Sequence, residues 1–307
     1  PCSRSNYAYT MGSLQSALNM NYLTELGALQ EALDIVPDDI WLLIRRSLVR
    51  GKLEALGYQS VGFETGYEWT RMADADIFIG RGEDPLAYQS FTPFEAMLLK
   101  TTGGLILVDS QSKLLQQNLA AVNYPYKDHV DIVTFVLDQL PELAKNPAPT
   151  FVFAHILVPH VPYVFQPDGS LTTDPNFYSG SKATAINDEY ERQGYLNSIQ
   201  FINQRMEAIF AQILADSETP PIIFVMGDHG LKQDNRYEIL SLYYLPENST
   251  PSNHDAAEVY ATITPVNAFR LIFNRYFGAN YPFVADQSFG SNDVVIPETS
   301  PACPVNP

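Results

Sequence analysis

The chain has 307 residues, 46% apolar and 17% charged, with a formal net charge of −17 at pH 7. That balance is globular rather than disordered and fits one large α/β domain. The acidic excess argues against nucleic-acid partners, because phosphates need Lys and Arg to neutralise them, and against electrostatic docking to an anionic bilayer.

A small anionic substrate is compatible only where a metal or a cluster of N–H groups offsets the surrounding field. No apolar run reaches about 18 residues, so no transmembrane segment is expected in this chain, and no signal peptide is read. The sequence opens at Pro1 without a methionine, which suggests a fragment, a processed form or a trimmed version of a longer protein.

In chain order, Cys2–Tyr9 is polar and turn-like. Cys2 and Cys303 stand near opposite ends; one disulfide in an oxidising compartment and two free thiols both fit the sequence. From Thr10, apolar residues at Met11, Leu14, Leu18 and Leu23 have a mostly helical spacing, which puts Thr10 where a helix N-cap belongs. Its hydroxyl then has two readings. It either caps the first turn or acts as a nucleophile whose phosphorylated form the helix N-terminus stabilises.

Asp38–Leu56 reads as a helix ending before Gly57, and Ser60–Phe63 as a short strand leading into the polar turn Glu64–Tyr67. Ile77–Lys100 reads as a loop followed by a short helix at Pro93–Leu99. Gly104–Val108 is an apolar run ending at Asp109, and Val130–Ala144 a helix with Ile132, Phe135, Val136 and Leu140 on one side. Phe151–Val158 reads as a strongly buried strand containing His155, which in mid-strand is ordinarily a hydrogen-bonded core histidine. The strand exits into Pro159-His160-Val161-Pro162-Tyr163, where a proline on each side stiffens the backbone around His160.

Tyr190–Asp216 is the clearest helix, with Tyr195, Ile199, Ile202, Met206, Ile209 and Ile213 forming one apolar stripe for core packing. Ile222–Met226 follows without alternation, the pattern of a strand buried on both faces of a parallel sheet. It stops at Gly227-Asp228-His229-Gly230. In open α/β sheets ligands collect beyond the carboxyl ends of strands, so Asp228 and His229 are candidate metal ligands. The plainer alternative is a strand-exit turn in which Asp228 caps the next segment.

Helix followed by buried strand, repeated, indicates parallel βα units. Glu238–Leu245 reads as a strand, and Glu247–Asn253 as a loop. There Asn248-Ser249-Thr250 is a glycosylation acceptor only in a eukaryotic secretory setting. Thr264–Phe277 reads as a helix burying Val266, Phe269, Ile272 and Phe273, and residues 281–307 as a peripheral tail.

Several separated stretches agree with one family: S-N-Y-A-Y-T-M-G-S-L-Q-S-A-L-N-M-N-Y-L at Ser5–Leu23, G-Y-Q-S-V-G-F-E-T-G-Y at Gly57–Tyr67, H-I-L-V-P-H-V-P-Y-V-F at His155–Phe165, G-D-H-G at Gly227–Gly230, and I-T-P-V-N-A-F-R-L-I-F-N at Ile263–Asn274. The chain resembles the sulfatase-like members of the alkaline phosphatase superfamily, near the extracytoplasmic domains of lipoteichoic-acid-synthase-like and phosphoethanolamine-transferase-like bacterial proteins. The likeness implies an α/β three-layer sandwich, a mainly parallel central sheet between helices, as a single domain over residues 1–307.

It implies Thr10 as nucleophile and metal ligand, Asp228 and His229 as the metal pair, and His160, with His155 as a second contact, on substrate oxygens. The cofactor would be a divalent cation, Mn²⁺, Zn²⁺, Mg²⁺ or Ca²⁺, and the substrate a small anionic or lipid-headgroup phosphoester. His254, in a polar loop, is a lesser candidate for a second metal.

The family's opening strand and its acidic metal ligand lie upstream of the nucleophile, whereas nine residues precede Thr10 here. The resemblance therefore implies either a longer, membrane-associated parent or a degenerate copy that binds an anionic ligand or partner without turnover. Cys2-Ser3-Arg4 lacks the Cys-x-Pro-x-Arg spacing of true sulfatases, which favours phosphate over sulfate esters. An extracytoplasmic location is implied on the same basis.

Overall fold

The computed structural model describes residues 2–26, 41–82, 124–173, 188–231, 236–247, 258–290 and 294–296. In chain order these form α1 (Thr10–Asn19), α2 (Leu42–Arg45), α3 (Leu48–Ala55), β1 (Gln59–Phe63), β2 (Ile77–Ile79), α4 (Tyr124–Gln139), β3 (Thr150–Phe153), α5 (Asp188–Asp216), β4 (Ile223–Met226), β5 (Ser241–Tyr244), α6 (Pro265–Tyr276), β6 (Ser288–Phe289) and β7 (Val295–Ile296). The chain is mixed α/β with a three-stranded parallel sheet, order β2-β1-β3, accompanied by helices. Among the described residues no helix is long and apolar enough to cross a membrane, in keeping with the sequence.

Several expectations are corrected. Among the described residues β4 pairs antiparallel with β5 rather than with the parallel sheet, Ile223 opposite Tyr244 and Met226 opposite Ser241, and all four of its residues are partly exposed. An unalternating apolar run therefore does not here mark a strand enclosed on both faces. Ile77–Ile79, expected in a loop, is a strand parallel to β1. The Phe151–Val158 strand ends at Phe153, so His155 lies past its carboxyl end rather than in mid-strand.

The single helix expected over Asp38–Leu56 is broken. Arg46 leaves helical geometry, and extended Ser47 starts α3 by accepting from the Arg50 N–H at 3.4 Å. The expectations for Pro93–Leu99, Gly104–Val108, Asn248-Ser249-Thr250 and His254 fall outside the described residues.

The chain divides into two compact units. The first is Pro1–Ser60, Ala148–Phe151 and Glu218–Pro307; the second is Val61–Pro147 and Val152–Ser217. In the first unit α1 packs against α6, α2 and α3 and is buried continuously from Gly12 to Asn19. Its polar side chains are mostly bonded, as burial requires. Ser13 Oγ donates to the Tyr7 carbonyl, while Asn19 donates to the Gln15 and Leu43 carbonyls and accepts from the Leu48 N–H.

The helix stops at Met20, in left-handed geometry with φ 54°. The Arg270 guanidinium donates to the Met20 carbonyl, a cation at a helix C-terminus. Asn6, far off in sequence, supplies the oxygen that accepts from the Val266 N–H in the first turn of α6. Tyr7, Tyr22, Val266 and Phe289 form one buried cluster, so residues after Tyr281 contribute to this core.

In the second unit the expected stripe of α5 supplies Ile202, Met206, Ile209 and Ile213 to a cluster with Val133, Leu137, Val164, Phe165 and Phe201. Phe165 and Phe201 stack with ring centroids 4.2 Å apart. Beside it, Phe63 of β1 packs on Ile132 and Val136 of α4.

Candidate functional site

In the first unit the backbone reaches Thr10 through extended Tyr9, φ −147° and ψ 148°, which occupies the cap position. Thr10 is the first helical residue rather than the N-cap, and no side chain caps the helix. Its Oγ1 instead lies 3.3 Å from His229 Nε2.

Asp228 and His229 leave β4 on the turn after Gly227, whose N–H donates to the Leu240 carbonyl of the neighbouring chain segment. Asp228 Oδ1 accepts from the His229 N–H at 2.9 Å, and Oδ2 stands 3.4 Å from His229 Nε2. Both side chains are largely covered, 14% exposed for His229 and 26% for Asp228. His229 Nδ1 lies 3.0 Å from the Gly230 carbonyl. A carbonyl only accepts, so Nδ1 carries the proton.

On the other side of the ring, Nη2 of Arg236 lies 3.3 Å from Nε2. A guanidinium only donates, so this contact favours a lone pair on Nε2 and agrees with a proton on Nδ1. Thr10 Oγ1, Asp228 Oδ2 and Arg236 Nη2 thus converge on one ring nitrogen, at 3.3, 3.4 and 3.3 Å.

Arg236 carries no motif in the sequence. The guanidinium donates from Nε to the Ala8 carbonyl at 2.8 Å and from Nη1 to the Gly230 and Leu231 carbonyls at 2.9 and 3.3 Å. No sequence spacing signals this, because its partners lie 228, 6 and 5 positions away.

Thr10 Oγ1, Asp228 Oδ2 and His229 Nε2 fit a divalent cation as a partial ligand set. Ligands about 2.0–2.1 Å from a tetrahedral ion are about 3.3 Å from one another, and the two spacings to His229 Nε2 are 3.3 and 3.4 Å. Oxygen and imidazole donors suit Mn²⁺, Zn²⁺ or Mg²⁺. Among the described residues, no three His, Cys, Asp or Glu side chains converge as a metal site. A cation held by Asp228 and His229 would therefore take its third donor from Thr10.

His155 and His160 belong to the second unit, where they gather around Tyr67. Ring centroids are 6.0 Å apart for Tyr67–His155 and 6.1 Å for Tyr67–His160. Tyr67 stacks on Trp69 at 5.2 Å. His155 Nδ1 is 3.0 Å from Thr70 Oγ1, and Thr70 Oγ1 is 3.0 Å from Thr65 Oγ1. This hydrogen bonding leaves His155 partly exposed beyond β3 rather than sealed in a core.

His160 is exposed, with Nδ1 donating to the Val161 carbonyl at 2.7 Å and Nε2 3.4 Å from the Tyr67 hydroxyl. Trp69 has no signal in the sequence beyond its i, i+2 spacing from Tyr67 in a polar strand exit.

No protein-family model, curated protein or solved structure matches the chain.

Proposed function

We propose that the chain is an alkaline-phosphatase-like, sulfatase-like hydrolase or transferase of phosphate esters, with Thr10 as nucleophile. The supporting observation is the Thr10 Oγ1–His229 Nε2 approach of 3.3 Å at the start of an uncapped helix. The hydroxyl is free of the structural duty that the simpler reading gave it.

In the proposed reaction Thr10 Oγ bonds to phosphorus as the ester P–O bond breaks. The hydroxyl proton is released, and the departing alkoxide takes up a proton to leave as an alcohol. Water, or an acceptor alcohol in transfer, then attacks the phosphothreonine and returns the free Thr10 hydroxyl. Asp228 and His229 hold their donors against Oγ, and uncapped N–H groups of the α1 first turn face developing negative charge. A divalent cation held by Thr10, Asp228 and His229 would lower the hydroxyl's pKa and offset the phosphoryl charge. Within the second unit, His160 and His155 beside Tyr67 and Trp69 are proposed to contact an anionic or lipid-headgroup group.

The disulfide-bonded state of Cys2 supports an oxidising, extracytoplasmic setting. A second reading, an anion-binding domain without turnover, draws on the absence among the described residues of a third acidic or imidazole ligand. Turnover of bis(p-nitrophenyl) phosphate with added Mn²⁺ separates the two. Mn²⁺-dependent turnover that Thr10→Ala abolishes supports the enzyme; turnover untouched by Thr10→Ala overturns the nucleophile.

A further inference from the structure

We infer that Arg236 is a positioning residue that fixes the Thr10 hydroxyl against His229, an inference that deepens the phosphoester reading above and rests on it for its catalytic consequence. The guanidinium bridges two segments at once. Nε holds the Ala8 carbonyl two residues before Thr10, and Nη1 holds the Gly230 and Leu231 carbonyls just after His229. Nη2 addresses the imidazole itself.

The Gly230 carbonyl that accepts from Arg236 also accepts from His229 Nδ1. Arg236 thereby sets both the ring's orientation and the height of the turn that carries it. A planar group with five donors in fixed directions is suited to this; an ammonium reaches one or two of these acceptors but not all four.

The arrangement has a functional cost that a purely structural ion would avoid. The guanidinium is placed against a proposed ligand nitrogen, and among the described residues no carboxylate bonds to it. Elsewhere in the chain, buried arginines such as Arg50 and Arg81 are paired with carboxylates. Aligning reactive groups to within fractions of an ångström is where such an arrangement acts on rate rather than on binding.

The test uses the full chain, ¹⁵N-labelled and stripped of metal with EDTA, as wild type, Arg236→Lys, Arg236→Gln and the surface control Arg192→Gln. Wild type and Arg192→Gln are expected to show a single Nδ1-protonated His229 and a nuclear Overhauser contact between Thr10 and the His229 ring. Both Arg236 variants are expected to lose that contact and give an averaged imidazole signal, Lys failing to rescue.

Unchanged His229 signals in a folded Arg236 variant, even one of lower Tm, overturn the inference. On the unmodified chain, Arg236 is expected to give resolved, slowly rotating Nη signals, and a single averaged signal also overturns it, so the outcome does not depend on the variants folding. With bis(p-nitrophenyl) phosphate and Mn²⁺, kcat is expected to fall at least tenfold in both variants with KM within twofold. Absence of turnover in wild type defeats the phosphoester reading alone, while the spectra still decide Arg236.

Discussion

Thr10 Oγ1 and His229 Nε2 stand 3.3 Å apart across 219 positions of sequence. The contact separates two roles that a threonine at a helix start can have. A capping hydroxyl lost to alanine costs about 1 kcal/mol; one that caps nothing costs less. Thr10→Ala is therefore expected to change stability by under about 0.5 kcal/mol, in the range of ordinary surface substitutions, while removing phosphodiester turnover. Thr10→Ser is expected to retain part of it. Urea unfolding alongside turnover checks both halves.

Metal affinity offers an independent measurement. Asp228→Asn and His229→Gln each alter one of the three donors of the proposed ligand set, in which Thr10 Oγ1 and Asp228 Oδ2 lie 3.3 and 3.4 Å from His229 Nε2. Isothermal titration with Mn²⁺ is expected to show at least tenfold weaker binding for either variant, about 1.4 kcal/mol or more. Equal binding by wild type and both variants would remove these residues from the ligand set.

How much of this was legible in the sequence follows from the range of the interactions. The stripe of α5 and the buried side of α6 depend on local periodicity, and both were readable. The partner of β4 was not, because an apolar run reports burial tendency and says nothing of which strand lies alongside; Ser241–Tyr244 was recognisable as a strand but not as its neighbour. The break at Ser47 was signalled only by a single cap residue inside a helical pattern. Helical spacing and the G-D-H-G turn single out Thr10, Asp228 and His229 as candidates, whereas Arg236 bonds backbone carbonyls, which have no sequence signature.

The second unit contains a charge arrangement whose removal has a calculable sign. Arg81 Nη2 bonds Glu64 at 2.6 Å and Asp128 at 2.8 Å, with only 10% of its side chain exposed. Burial by itself would raise the Glu64 carboxyl, but hydrogen bonds from the Arg81 side chain and backbone outweigh it and hold the group below its usual value. Arg81→Met leaves two partly covered carboxylates facing each other and is expected to cost about 2–3 kcal/mol at pH 7. A carboxyl lowered in the folded state stabilises above its unfolded pKa and loses that contribution as pH falls through the folded one. The Arg81→Met penalty should accordingly shrink below about pH 4.

His129 gives the opposite titration. Burial first, and the neighbouring His160 second, push its imidazole down to about 4, and its Nε2 is buried with no hydrogen-bond partner. The unfolded chain, with an ordinary value of about 6.5, then binds the extra proton first as pH falls. Stability from this residue is complete above about pH 6.5 and declines towards pH 4, by about 2 kcal/mol between pH 7 and 5. His129→Gln is expected to flatten that part of the urea-midpoint profile. An unaltered slope would mean that the imidazole is charged in the folded protein.

Gly194 lies within α5, where an alanine would ordinarily gain about 1 kcal/mol in helix propensity. Here a Cβ would meet the Cδ2, Cβ and Cγ atoms of Tyr163 at 2.6, 2.7 and 2.7 Å. The ring cannot swing into solvent to make room, because Tyr163 is 5% exposed. Overpacking of this kind costs about 1–3 kcal/mol, and contact with atoms near the ring's base, rather than its tip, puts the cost at the upper end. Gly194→Ala is thus expected to destabilise by about 1–2 kcal/mol net of the propensity gain. A paired Gly194→Ala, Tyr163→Ala chain should recover the propensity term relative to Tyr163→Ala alone, since the added methyl then enters the space left by the ring. If Gly194→Ala instead raises the urea midpoint in the wild-type background, α5 does not pack this closely on Tyr163.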